Sequence, residues 1–218
     1  MSRPAKSSGA DLVVYADAPI GLTCFQKAVA FAQNSPIGVG NSLYRLGTVS
    51  AFVDHGKHGA FRRSVLEKGL LYDESFAINE DSELSHRIRA AGGKIWLDRA
   101  LAVGYYPRNN LTGLARQYFL YGGGRARTLR KHGLQPQLRQ GATVALLAAN
   151  LVSAICGFLW WPLWLFVVAY AAALGTAAAV DAVQRREPCG LLAAVAFAVM
   201  HHAWPLGYLA ARFERPAQ

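Results

Sequence analysis

The sequence predicts a mixed α/β soluble part followed by an α-helical membrane region, and three observations carry that prediction. No charged residue falls between Arg139 and Asp181, and none from Leu191 to Ala211. A bilayer core takes about 20 consecutive apolar residues per helix, so the first run is long enough for two spans and the second for one. Upstream of Arg139, strand-length apolar runs alternate with amphipathic helical patterns punctuated by glycine. The formal net charge of +10 is also concentrated at the junction. Arg108, Arg116, Arg125, Arg127, Arg130, Lys131 and Arg139 accumulate there, and no Asp or Glu occurs from Arg99 to Val180. Basic clusters beside membrane helices mark the cytoplasmic end and attract anionic head groups.

Residues 1–20 read as a disordered or atypical lead-in. Ser2 to Ala10 is small and polar, and Met1 to Asp11 lacks the apolar core of a signal peptide. Gly21 to Asn34 carries Leu22, Phe25, Val29 and Phe31 at roughly helical spacing, and Ser35 to Asn41 is a turn-rich loop. Val49 to Val53 is strand-like, and Ala60 to Lys68 reads as a short helix closed by Gly69. Asn79 to Glu83 places acidic and capping residues at a helix start, where the dipole favours them. Leu84, Ile88 and Ala91 follow at helical spacing, and Gly92-Gly93 ends the helix. Lys94 to Leu97 and Ala102 to Tyr106 are two strand candidates. Leu111 to Tyr121 is an aromatic-rich amphipathic helix at the head of a basic interface segment, residues 111–140.

Three membrane helices are placed within residues 141–211, at about 142–159, 163–182 and 190–211. Trp160, Trp161, Pro162 and Trp164 suit an interfacial turn, which makes the first two a hairpin. Arg185 and Arg186 then fall on the side of the Arg125–Arg139 cluster, while Arg212 and Arg215 lie opposite. One re-entrant hairpin plus one span is the alternative topology.

Composition also excludes. The basic charge abuts a hydrophobic run instead of covering a soluble face, so nucleic acid is not a partner. Cys24, Cys156 and Cys189 are odd in number with no CxxC pair, which argues against a disulfide framework or a zinc site. His55 and His58 lack two further ligands and read as a solvated loop. Gly38-x-Gly40 and Gly122-Gly123-Gly124 do not sit between a strand and a helix as phosphate loops do. Asn110-Leu111-Thr112 matches a glycosylation sequon, an accidental match on a cytosolic segment. His201 and His202, inside a predicted membrane helix, read as packed neutral donors, with contact to a lipid-linked acceptor as the alternative.

Several linked stretches resemble one family. These are Phe61-Arg62-Arg63, Tyr72 to Phe76, and Asn79-Glu80-Asp81-Ser82-Glu83-Leu84 running on through Arg87 to Gly92. They resemble the C-terminal half of the family 2 (GT-A) glycosyltransferase catalytic domain, whose form is an aromatic-Arg-Arg helix, an FDE turn and ED-x-EL-x-x-R-x-x-x-x-G. Ser35 to Asn41, Gln117 to Gly122 with Arg125 to His132, and Met200 to Tyr208 match its succinoglycan-biosynthesis-like branch. The resemblance spans roughly residues 20 to 211 and implies a partial GT-A fold. Residues 21–110 would be its acceptor-side half and residues 111–140 its interface helix.

That resemblance implies an inverting, membrane-attached transferase that moves sugar from a nucleotide-sugar donor to a lipid-linked or polysaccharide acceptor. The implied setting is envelope or exopolysaccharide synthesis, with the enzyme multi-pass in the cell membrane and its soluble part cytoplasmic. The general base falls on Asp81, with a helix-capping role as the alternative for that residue. Glu80, Glu83 and Asp54 are acceptor-side or supporting residues. Gln117, Tyr118, Arg125 and Arg127 are expected at the donor diphosphate or the membrane interface, since arginine's fork pairs with phosphate oxygens. Relatives carry tryptophan where Gly124 stands, so a looser helix end is expected there.

Mg²⁺ or Mn²⁺ is implied for the complete enzyme, yet no metal ligand set is identified. Tyr15-Ala16-Asp17 offers one carboxylate where the family's Asp-x-Asp has two. The chain therefore reads as lacking the donor half, which an upstream frame or a partner chain would supply, and transfer by this chain alone is not expected. Its other partners are membrane lipid, the nucleotide sugar and the acceptor. The alternative reading is a non-catalytic membrane protein, a truncated remnant or interaction module of such an enzyme.

Overall fold

A computed structural model describes residues 8–40, 42–47, 49–57 and 59–213. The expectations for Ser2 to Ser7, Asn41, His58 and Arg215 lie outside the described residues. The chain divides into two compact units, Met1–Pro19 with Asn41–Tyr105, and Ile20–Gly40 with Tyr106–Gln218.

The first unit is built on a four-stranded sheet in the order β2–β4–β1–β3. β1 (Leu12–Pro19) is central and runs parallel to β4 (Ile95–Tyr105). β2 (Ala51–Phe52) pairs antiparallel with β4, and β3 (Gly59–Phe61) antiparallel with β1. The expected lead-in thus gives way to a strand at Leu12. Leu12, Val13, Val14 and Ala16 are all buried. A strand covered on both faces reads as an unbroken apolar run without alternation, so it carries no period-two signature. The two strand candidates near residues 94–106 are one strand. Leu12 to Tyr15 pair with Ile95 to Asp98, and after an irregularity Ala16 to Pro19 pair with Ala102 to Tyr105. Buried Asp98 turns its Oδ1 onto the Ala100 amide at 3.0 Å, satisfying a backbone donor at the interruption.

Three helices complete this unit: α3 (Leu43–Leu46), α4 (Arg63–Glu67) and α5 (Glu80–Ala90). The expected helix over Ala60 to Lys68 begins as strand β3 and turns helical only at Arg63. Leu84 and Ile88, one turn apart on α5, join Leu12, Val14, Ala16, Val65, Ile95 and Leu97 in one apolar core. Gly92, at φ 80, lets the chain leave α5, and the Gly93 amide closes back on the Ile88 carbonyl at 2.9 Å.

The second unit is helical. α1 (Cys24–Gln33) starts at a capping box between Thr23 and Gln26. α2 (Pro36–Val39) is a single turn that Ser35 caps. α6 (Leu111–Lys131) is capped by Asn110, whose Oδ1 accepts from the Gly113 amide at 2.7 Å. α6 runs unbroken through Gly122 to Gly124, so the expected loosening at Gly124 is corrected: these glycines are buried in helix packing. α7 (Leu138–Cys156), α8 (Trp164–Arg185) and α9 (Ala193–Phe213) follow. They lie within Leu138–Cys156, Trp161–Arg185 and Pro188–Phe213, three segments long and apolar enough to cross a membrane.

Two features tie this unit together. A Cβ placed on Gly122 would stand 1.9 Å from the Trp204 carbonyl oxygen, and one on Gly207 would stand 1.9 Å from that of Phe119. The backbones of α6 and α9 are therefore in contact where these glycines sit. Cys24 and Cys189 form a disulfide, and Cys156 alone is free. The expectation of three unpaired thiols is corrected on this point. Partners 165 residues apart carry no spacing signal, so nothing local marked the pair.

Candidate functional site

The first unit holds a cavity of about 10 Å³, lined by Leu12, Val14, Gly56, Gly59, Phe61, Tyr72, Asp81 and Leu84. A water needs about 10–15 Å³, so the space takes one water or one hydroxyl group. Glycine is required on one wall. A Cβ on Gly56 would meet Val14 at 2.5 Å, and one on Gly59 would meet the Val13 carbonyl at 2.4 Å.

Only two of the lining side chains are polar. Asp81 stands in the first turn of α5, which Asn79 precedes at φ 71. Its Oδ1 accepts from the Ser82 amide at 2.6 Å, which fixes the carboxylate's orientation. Because α5 begins at Glu80, Asp81 is a residue of the helix and not its N-cap. Tyr72, 47% exposed, sets its ring edge-on to Phe61 with centroids 6.1 Å apart. Burial, then the charges of Asp81 and Glu80, raise the Tyr72 phenol's pKa above its ordinary value. The phenol is therefore a hydrogen-bond donor at neutral pH, set in the same cavity as a carboxylate.

Supporting residues explain how Tyr72 is held. Fully buried Glu83 accepts from Arg87 Nε at 2.9 and 3.0 Å, and Arg87 in turn donates from Nη2 to the Leu71 carbonyl. This chain of contacts anchors the loop that presents Tyr72 to the helix that presents Asp81. Asp54 is exposed and pairs with Arg89 at 2.7 Å, on the same helix. Tyr72 was not among the expected site residues. The signal was available, because a tyrosine stands where the family's FDE turn has phenylalanine.

Asp17 belongs to a separate buried ion cluster. Its Oδ2 lies 3.2 Å from Lys57 Nζ and 3.6 Å from Arg45 Nη1. A carboxylate balanced by two cations does not fit a divalent metal. Among the described residues, no group of three His, Cys, Asp or Glu side chains could hold one.

The other expected site residues lie in the second unit. Gln117, Tyr118, Arg125 and Arg127 all stand on α6. Gln117 donates from Nε2 to the Tyr121 hydroxyl at 2.9 Å, while its Oε1 and the Nε of Arg127 are buried with no hydrogen-bond partner among the described residues. His201 donates from Nε2 to the Ile37 carbonyl at 2.7 Å, since a carbonyl only accepts, and its Nδ1 faces the Tyr170 hydroxyl at 3.1 Å. It binds the Ser35–Gly40 loop to α9, a structural use.

The geometry so far defines a mixed α/β unit with a carboxylate–phenol cavity, in a chain whose other unit carries three long apolar helices. The chain is 42% identical over 204 residues to the succinoglycan biosynthesis protein ExoA of Rhizobium meliloti (strain 1021). The match takes in 94% of this chain and 62% of that protein, so the chain spans somewhat less than two thirds of the relative's length. No family model matches the chain, and no solved structure does.

Asp81 and Tyr72 line one cavity, and the charge of the first acting on the phenol of the second has a direct spectroscopic consequence. Asp81→Asn removes one of the charges that hold the phenol's pKa up, so Tyr72 should ionise at lower pH in that variant. The shift is read as the alkaline absorbance difference between chains with Tyr72 and with Tyr72→Phe. An unchanged titration would show that the two groups do not face each other.

Proposed function

We propose that the protein is a membrane-attached glycosyltransferase of exopolysaccharide synthesis, acting from a nucleotide-sugar donor on a lipid-linked or glycan acceptor. One observation carries the reading: the cavity that admits a single hydroxyl is lined by one carboxylate, Asp81, held at a fixed angle on α5. The similarity to a succinoglycan biosynthesis protein supports the class of pathway.

In this reading an acceptor hydroxyl enters the cavity and its proton passes to Asp81 as its oxygen attacks the anomeric carbon of the donor sugar. The C–O bond to the diphosphate breaks, and its electron pair leaves with the nucleoside diphosphate. Attack opposite the leaving group inverts the anomeric centre. Tyr72 donates to a lone pair of the same acceptor oxygen, leaving the other lone pair for the attack. Glu83 and Arg87 position Tyr72, and Asp54 and Glu80 border the acceptor side. On α6, Arg125 and Arg127 with Gln117 and Tyr118 serve phosphate oxygens, and the Arg127 Nε–H, a donor with no hydrogen-bond partner among the described residues, supports that use. No step is routed through a metal, because the described carboxylates do not fit one.

The test incubates membranes carrying the protein, together with a chain or upstream segment that supplies the donor-binding half, with labelled nucleotide sugars and extracts lipid-linked and polymeric products. Label that depends on the protein is the expected result. Equal incorporation by membranes lacking it removes the reading in favour of a non-catalytic module.

A further inference from the structure

We infer that Lys57 and Arg45, set around Asp17 at the carboxyl ends of β1 and β4, form a binding site for an oxyanion of the phosphate class. The site belongs to the first unit alone and does not depend on the sugar-transfer reading.

Two cations converge there on a single carboxylate oxygen. Asp17 Oδ2 lies 3.2 Å from Lys57 Nζ and 3.6 Å from Arg45 Nη1. Tyr105 joins the group. Its hydroxyl accepts from Arg45 Nη1 at 3.4 Å, and Lys57 Nζ stands 5.3 Å from its ring centroid. The side chains of Asp17 and Arg45 are 6% and 7% exposed, so both charges have been withdrawn from water. The three ionic groups sum to one positive charge. Burying charge is costly unless it is balanced, and an incoming anion balances this one. A metal cation would add to the imbalance.

The position agrees with the charge. β1 and β4 are parallel, and Asp17 pairs with Val103 and Pro19 with Tyr105, so the cluster lies at the carboxyl ends of both strands. Sheets of this kind take their ligands outside those ends. Lys57 comes from the loop that joins β2 to β3, strands at opposite edges of the sheet, so that loop crosses from edge to edge. Gly56 and Gly59 hold the crossing close to Val13 and Val14, which fixes the backbone on both sides of Lys57. The Lys57 side chain is 21% exposed, the most open of the three charged groups, so an anion arriving from solvent meets it first. Lysine serves phosphate as a point charge with three donors, of which Asp17 takes one. Asp17 thus orients the cations, and its own charge limits how tightly an anion is held.

The experiment titrates inorganic phosphate into the full chain in detergent, with sodium chloride holding the ionic strength constant. Binding is read as broadening of the phosphorus NMR resonance and as a rise in the midpoint of thermal unfolding. Saturable binding is the expected result. Lys57→Gln should weaken it about tenfold, the loss of one charge-assisted hydrogen bond, and Lys57→Arg should retain it. Asp17→Asn should tighten it, because a repelling charge is gone; should that variant fail to fold, the two Lys57 variants carry the test. Separate arms compete the phosphate with a nucleoside diphosphate and with a short-chain lipid phosphate, and displacement by either identifies the source. Phosphate that neither displaces would be an adventitious ion only, and would overturn the inference. Absence of saturable binding by the parent chain would overturn it too, leaving a structural ion pair. Binding lost in Arg127→Gln and kept in Lys57→Gln would place the anion on α6 instead.

Discussion

With the donor-binding half supplied by an upstream segment or a partner chain, Asp81→Asn should lower sugar transfer by about 10²- to 10⁴-fold, the range over which general acid–base groups contribute. The substitution keeps the side chain's size and its acceptor oxygen for the Ser82 amide, so α5 should start as before. What it removes is the capacity to take a proton from an acceptor hydroxyl. Apparent nucleotide affinity should stay within about two-fold, because the lost interaction belongs to the transition state. The comparison is made in membranes with the donor sugar varied, beside a thermal melt of the solubilised variant. Near-normal transfer by a folded Asp81→Asn protein would leave Asp81 as an ordinary helix residue. Tyr72→Phe separates the two polar groups: it should raise the acceptor KM several-fold and leave most of kcat.

Gly207→Val is expected to have the largest effect on folding. Its Cβ would stand 1.9 Å from the Phe119 carbonyl oxygen and 2.9 Å from the Phe119 Cα. A side-chain tip can swing aside, but these are backbone atoms inside the 21-residue helix α6. Overpacking ordinarily costs about 1–3 kcal/mol, and more where the neighbours cannot yield. A valine here should therefore exceed that range and separate α6 from α9. The measurement is the monodisperse fraction after detergent extraction, with the midpoint of thermal unfolding. Gly141→Ala is the control, since a Cβ there meets nothing within 4 Å, and alanine in a helix gains about 0.5–1 kcal/mol over glycine. A Gly207→Val protein that extracts and melts like the parent would disprove the contact.

What the sequence revealed and what it hid divide along physical lines. Helix α5 was legible because its acids, its apolar i,i+4 pair and its terminal glycines all act locally. The apolar stretches of α7, α8 and α9 were legible for the same reason. β1 was hidden because burial on both faces erases alternation. Tyr72 was hidden because its importance comes from a neighbour on α5 that only the fold supplies. The glycines of α6 read as a loose helix end, since close packing is invisible until the second helix is present. The disulfide also complicates sidedness. Arg185 and Arg186 mark the turn before α9 as cytoplasmic, yet Cys189 in that same turn is oxidised, and cytosolic thiols are kept reduced. The two criteria assign one turn to opposite faces.

The second unit takes residues 20–40 from near one end of the chain and residues 106–218 from the other. During synthesis, α1 therefore leaves the ribosome long before its partners exist. Ala28, Val29 and Ala32 wait for Phe197 and Met200, and Cys24 waits for Cys189. At about 5–20 residues per second this interval is roughly 8–30 s. For that time an apolar helix face and a thiol stand uncovered, while α7 and α8, each long and apolar enough to cross a membrane, are being made. Production of this protein is thus most vulnerable before its last helix emerges, and chaperone supply or expression temperature should govern yield more than the stability of the finished molecule.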